Sequence, residues 1–208
     1  MKIKLFLIAL LCSTLTSAQS EKFTQAMVQN IQMMDSAKTP EAFNAVSAQF
    51  LRIADAEKTQ WLPYYYAGLS LSINGWADQK LDKDANSARI LEYCDKAAAI
   101  KDNSEIYALR NMAYTQQMLV DPQTRWQTAG KQGGEALEKG IKMDPNNPRL
   151  YFLQGSGIFN TPEQFGGGKA KAKPILEKAI QLFEKEKPEK LYPSWGKQQT
   201  AELLAQCK

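Results

Sequence analysis

One short pattern recurs three times in this chain, as Tyr93-Cys94-Asp95-Lys96-Ala97, Ala136-Leu137-Glu138-Lys139-Gly140 and Ile175-Leu176-Glu177-Lys178-Ala179. A helical signature returning at intervals of about 40 positions restricts the fold severely. A helix pair of that length cannot bury its apolar face alone and needs a like neighbour to cover it. A second series supplies the other helix of each pair. Tyr64-Tyr65-Tyr66-Ala67-Gly68 aligns with Tyr151-Phe152-Leu153-Gln154-Gly155, and Tyr107 falls midway between them. The small residues Ala97, Gly140 and Ala179 then let neighbouring helices approach closely, while Cys94, Leu137 and Leu176, three residues earlier, fill the space between them.

The punctuation agrees with this reading. Thr39-Pro40, Asp121-Pro122 and Asn147-Pro148 each place a capping side chain before a proline suited to a first helical turn. Phe23, Met27, Ile31 and Met34 share one helical face, as do Phe43, Val46, Phe50 and Ile53, which predicts an opening antiparallel pair. No run alternates with period two over a strand's length, so the chain is expected to be all-α. Residues 185–190 read as a charged connector, and 194–207 as a last helix whose Leu203 and Leu204 cap the final pair.

From Leu137 to Asn147 the sequence Leu-Glu-Lys-Gly-Ile-Lys-Met-Asp-Pro-Asn-Asn resembles the second-helix ending of the tetratricopeptide repeat, and Tyr151 with Gly155 resembles the opening of its next repeat. The likeness spans roughly residues 43–183. It implies a right-handed helical-hairpin solenoid of three to four pairs plus a capping helix, and an inner groove that holds an extended peptide or a partner helix. Gln154 and Arg110 depart from the family pattern, standing where it has an aliphatic residue. These repeats also exceed the usual 34 residues. The excess lies inside each hairpin, so 76–86, 120–126 and 160–169 are expected as neighbouring loops on one rim.

The N-terminus sets an expected compartment. Lys2 and Lys4 precede an apolar run from Leu5 to Leu11, and Thr16 and Ala18 stand as the small residues of a cleavage site before Gln19. Residues 1–18 therefore read as a signal peptide, resembling bacterial export signals, with the repeat domain at 19–208 and the periplasm as the first expected destination, the cell envelope and the exterior being the alternatives. The apolar run is too short to span a bilayer. Cys12 follows Leu11 rather than a small residue, which argues against lipidation. Removing 1–18 leaves a net charge near +2, without the concentrated basic face that nucleic acid requires. Cys94 and Cys207 remain, and a stack should hold them apart as two unpaired thiols, although export permits a disulfide.

The chain contains no histidine. Ser-His-Asp and Cys-His nucleophile pairs, His-ligated zinc and imidazole acid–base chemistry are thereby excluded. No spacing marks another catalytic constellation, so no enzyme, metal site or cofactor is expected. Asp82-Lys83-Asp84-Ala85-Asn86 alternates oxygen ligands like a calcium loop but lacks its glycine and terminal glutamate, and a helix cap accounts for it better.

Three features could carry binding. Thr161-Pro162-Glu163-Gln164-Phe165-Gly166-Gly167-Gly168-Lys169 offers glycine N–H groups and lysines to an anion. It lacks phosphate-loop spacing, and a tight turn with Phe165 tucked against the core explains it as well. The recurring aromatics are expected mostly in packing. The tetratricopeptide likeness implies that Tyr65, Met112, Gln116, Arg149, Phe152 and Asn160 face the groove. Arg149 then offers its two-pronged guanidinium to a carboxylate, or pairs within the chain. The expectation is a non-catalytic exported scaffold for a protein or peptide partner. The alternative is a periplasmic small-ligand carrier or transport accessory.

Overall fold

The computed structural model describes residues 21–207, so the signal segment lies outside the described residues. Helix α1 covers residues 21–36. It is followed by α2 (Pro40–Ala56), α3 (Leu62–Ala77), α4 (Lys83–Ile100), α5 (Ser104–Met118), the short α6 (Pro122–Arg125), α7 (Lys131–Met143), α8 (Pro148–Asn160), α9 (Lys169–Lys185) and α10 (Lys197–Ala205). A wide π turn, Trp126–Gly130, joins α6 to α7. There is no strand among the described residues.

The helix starts follow from capping chemistry. Thr39 accepts from the Ala42 N–H, Asn103 from Glu105 and Asn147 from Arg149, each satisfying a donor that the helix leaves unpaired. Asp82 accepts from Asp84 and Ala85, so the calcium-like stretch is a helix cap. At Asp121 the carboxylate instead takes the Thr124 hydroxyl at 2.7 Å.

Each element packs on its neighbours in the chain. α2 lies on α3, α3 on α4, α4 on α5, α5 on α7 and α8 on α9, while α3 touches α5 and α5 touches α8. Three polar contacts fix the direction of these first helices. Near their starts the Tyr65 hydroxyl donates to Glu105 at 3.3 Å, and Asn147 donates to Ser104 at 3.0 Å. Near their ends Gln116 donates to the Ser72 carbonyl at 2.8 Å. Therefore α3 and α5 run parallel and the hairpin loops that follow them share one edge, while α8 begins beside the start of α5. An ion pair between Arg125 and Asp84 (2.6 Å) ties those two loops together.

The recurring residues now have a physical account. Lys96, Lys139 and Lys178, one from each copy of the pattern, lie 6.0, 4.6 and 3.9 Å from the ring centres of Tyr64, Tyr107 and Tyr151. At Gly140 a Cβ would stand 2.7 Å from Leu150 Cδ2 and 3.0 Å from Tyr107 Cβ, so any side chain there would have to displace its neighbours, and glycine lets α7 sit close to α5 and α8. The larger core joins Met27, Phe50, Tyr65, Leu69, Ile90 and Leu109, and a smaller one gathers Ala172, Leu176 and Cys207 beneath Leu203 and Leu204 of α10. Each fully buried leucine or isoleucine contributes about 1.5–3 kcal/mol. Cys94 and Cys207 are free and lie in separate cores, and burial pushes the Cys94 thiol up to about 12.

Candidate functional site

After α9 the chain turns back and lays an irregular strap, residues 186–196, across the face made by α3, α5 and α8. The Tyr66 hydroxyl donates to the Leu191 carbonyl at 3.0 Å, and Lys101 donates to the Tyr192 hydroxyl at 3.2 Å. Tyr192 meets Trp61 edge-on. The Trp195 indole donates to the Tyr65 hydroxyl at 2.8 Å, beside Phe152 and the Arg149 guanidinium.

Beneath the strap lies a buried charge cluster. Arg149 Nε donates to Glu105 at 2.7 Å, and both terminal nitrogens donate to Glu186. Asn147 gives Glu105 another bond at 2.7 Å. Arg149 and Glu105 are 3% and 6% exposed, so neither charge has water to fall back on. Burial pushes the Glu105 carboxyl above its usual range, against the pull of Arg149 and Asn147. Burial alone would lower Arg149, but Glu105 and Glu186 outweigh it and hold the guanidinium firmly charged. Burial, reinforced by Glu105, also raises the Tyr65 hydroxyl, which keeps its proton and donates it.

Of the residues expected in an open groove, Tyr65, Arg149 and Phe152 come together under this strap. Met112 and Gln116 are buried, Gln116 being bound to Ser72. Asn160 is exposed at the far end of α8, its amide turned onto the Ser156 carbonyl. The face expected to open to a partner is thus covered by the chain's own C-terminal segment.

The glycine loop lies at the hairpin edge. Gly166 and Gly168 adopt positive φ (90° and 102°), so glycine here supplies turn geometry. The N–H groups of Gly166, Gly167 and Gly168 donate to Glu163, Pro162 and Ile158 and do not converge on an anion. Lys171 donates to the Gly166 carbonyl, and Lys169 lies over the Phe159 ring. Phe165 is 74% exposed and not tucked inward, because the 3-10 turn Glu163–Phe165 carries it away from the core.

The space left on the inner face is a groove of about 740 Å³ between the two ends of the array. Ile31 and Met34 of α1, Tyr66 and Leu69 of α3, Ile180 of α9 and Trp195 of the strap give it apolar walls. Asp35, Glu184, Lys197, Gln198 and Gln199 supply polar groups, and burial raises the Asp35 carboxyl. The α1 face was legible as an apolar helical stripe. Trp195 and Lys197 carried no signal, since they reach the groove only because the chain folds back after α9, and Ile180 enters it from α9 itself. A second cleft, about 780 Å³, lies at the starts of α5 and α8 and is lined by the first half of the strap, but its floor is the satisfied Glu105–Arg149–Glu186 cluster.

Fold and groove together define an all-α helical array with an amphipathic ligand-sized cleft. No family model matches the chain, and no curated protein does. Among solved structures, the HusA haemophore from Porphyromonas gingivalis is 33% identical, with a TM-score of 0.76 over 91% of this chain and 92% of that one. Such identity along nearly the whole of both chains shows kinship, and this chain belongs to the HusA family.

Proposed function

We propose that this protein is an exported, non-catalytic carrier that holds a haem-type tetrapyrrole in the groove between α1, α3, α9 and the strap. The observation that carries the reading is its kinship with a haemophore along nearly the full chain, together with a groove of suitable size and polarity. Ile31, Leu69, Ile180 and Trp195 would cover the faces of the ring, each 100 Å² of apolar surface so removed from water contributing about 2.5 kcal/mol. Lys197, Gln198 and Gln199 would meet its carboxylates. With no histidine in the chain, affinity rests on ring burial and carboxylate pairing rather than on imidazole. Met34 is the thioether at the groove wall.

Export follows from the signal reading of 1–18. No helix among the described residues is long and apolar enough to cross a membrane. N-terminal sequencing of the processed protein should begin at Gln19.

Haemin titration tests the carrier. The expected result is a saturable shift of the Soret band with quenching of tryptophan emission, weakened by Ile31→Asp. No shift and no quenching at micromolar haemin would remove it. A second reading, a tetratricopeptide-like scaffold for a protein or peptide, draws on one observation: the inner face already accepts an extended segment, the strap.

A further inference from the structure

We infer that residues 186–196 are the movable wall of the groove, opening as a unit to admit and release its ligand. This rests on the carrier reading for the identity of the ligand, but not for the motion.

The other walls are helices, whose backbone bonds are internal and survive any displacement of a neighbour. The strap has no such ladder. Within it the Tyr192 N–H donates to Glu189, its two ends are tied to α9 and α10 by the Glu186 N–H to Leu182 and the Thr200 N–H to Gly196, and between those ends it is held by side-chain contacts with other repeats. Residues 187–190 are exposed and include Pro188, so nothing packs over the first half of the strap to resist its leaving.

The backbone shows that the closed form is held in place rather than relaxed. Leu191 has φ 71°, the sole non-glycine residue with positive φ among the described residues, and Gly196 has φ 103°. A branched side chain in the left-handed region is strained, and its neighbours must hold it there. The holding contacts are the Tyr66 bond to the Leu191 carbonyl on one side and the Glu186–Arg149 pair on the other. Releasing them relieves the strain, which brings the open form closer in free energy to the closed one.

Position gives the motion a consequence. Ser194, Trp195 and Gly196 wall the groove, while residues 186–189 and Tyr192 wall the second cleft. Lifting the strap would withdraw Trp195 from Tyr65 and Phe152 and uncover the groove on the side that faces the second cleft. Reclosure would lay the indole over the ligand.

Glu186→Gln is the discriminating variant, because it breaks the latch to Arg149 from a side chain outside the groove. Glu189→Gln, on the same strap with an exposed side chain that forms no ion pair among the described residues, serves as control. Hydrogen exchange of the unliganded full-length mature protein should show amides 187–195 exchanging faster than those of α3 and α5. Glu186→Gln should accelerate strap exchange on the order of tenfold and leave the α3 and α5 amides unchanged. Haemin release to an excess of apo-globin should quicken by a similar factor, and Glu189→Gln should change neither rate. Strap amides exchanging no faster than α3 in both proteins would overturn the inference even if haemin binds. Faster strap exchange with an unchanged release rate would overturn it as well. Should haemin fail to bind at all, the carrier reading falls, while the exchange data still decide whether the segment opens.

Discussion

In the repeat stack, lysine and tyrosine meet at the same place in each hairpin, and a small residue beside them lets the next helix close in. In the strap every contact occurs once. Leu191 meets Tyr66, Tyr192 meets Trp61, Trp195 meets Tyr65, and Glu186 meets Arg149. The stack draws its stability from apolar burial repeated along one axis, whereas the strap is fastened by a few polar bonds and aromatic edges. Changes in the stack should therefore show as loss of folding, and changes in the strap as altered binding and exchange. Only the buried charge cluster belongs to both.

That shared cluster predicts the largest effect. Arg149→Met would leave Glu105 buried without its cation, at a cost of about 3–5 kcal/mol, measured by urea unfolding. The double variant Arg149→Met with Glu105→Leu should recover part of the loss, because an apolar pair carries no stranded charge. If the single variant costs less than 1 kcal/mol, the cluster is fastened to the strap alone and the comparison breaks.

Next in size, Leu176→Ala empties a site with no exposure between α8 and α9 and should cost about 2–5 kcal/mol. Haemin affinity of the molecules that remain folded should be unchanged. Trp195→Ala should do the reverse: a half-buried indole that loses one hydrogen bond and its edge contact with Phe152 should cost less stability than Leu176→Ala, yet haemin binding should weaken at least tenfold. Equal stability losses with equal binding losses would erase the distinction between stack and strap.

The stack was legible because repetition is a local signal read many times over. Thr39-Pro40 and Asn147-Pro148 announce helix starts, and Ala97, Gly140 and Ala179 announce close packing, each from its own neighbourhood. The strap was not. Lys185 to Lys190 look like any solvated connector, and the bonds that fold Leu191 and Trp195 back span 125 and 130 positions. No periodicity links residues so far apart, and a single-use contact leaves no second copy to compare. Arg149 was legible as a two-pronged carboxylate binder, but its carboxylates came from Glu105 and Glu186 of the same chain. Phe165 was misplaced because a 3-10 turn of three residues, set by local hydrogen bonds, decides which way the ring points.

The smallest expected effect concerns pH and isolates what the shared cluster costs. Burial raises the Glu105 carboxyl above its ordinary value of 4.5, so the folded protein takes up a proton at a pH where the unfolded chain has already lost it. The stability this contributes is complete below the ordinary carboxylate value and is lost as pH rises through the raised one. Wild type should therefore gain stability relative to Glu105→Gln as pH falls through that window, while Arg149 stays charged throughout. Asp35, raised in the same direction, is common to both proteins and cancels from the difference. Urea midpoints of the two proteins, compared at half-unit steps from neutral to acid pH, read the effect directly. A difference that shrinks on acidification would mean that Arg149 and Asn147 stabilise the Glu105 anion by more than burial costs it, and the cluster would then be a fastening of the strap that acid loosens.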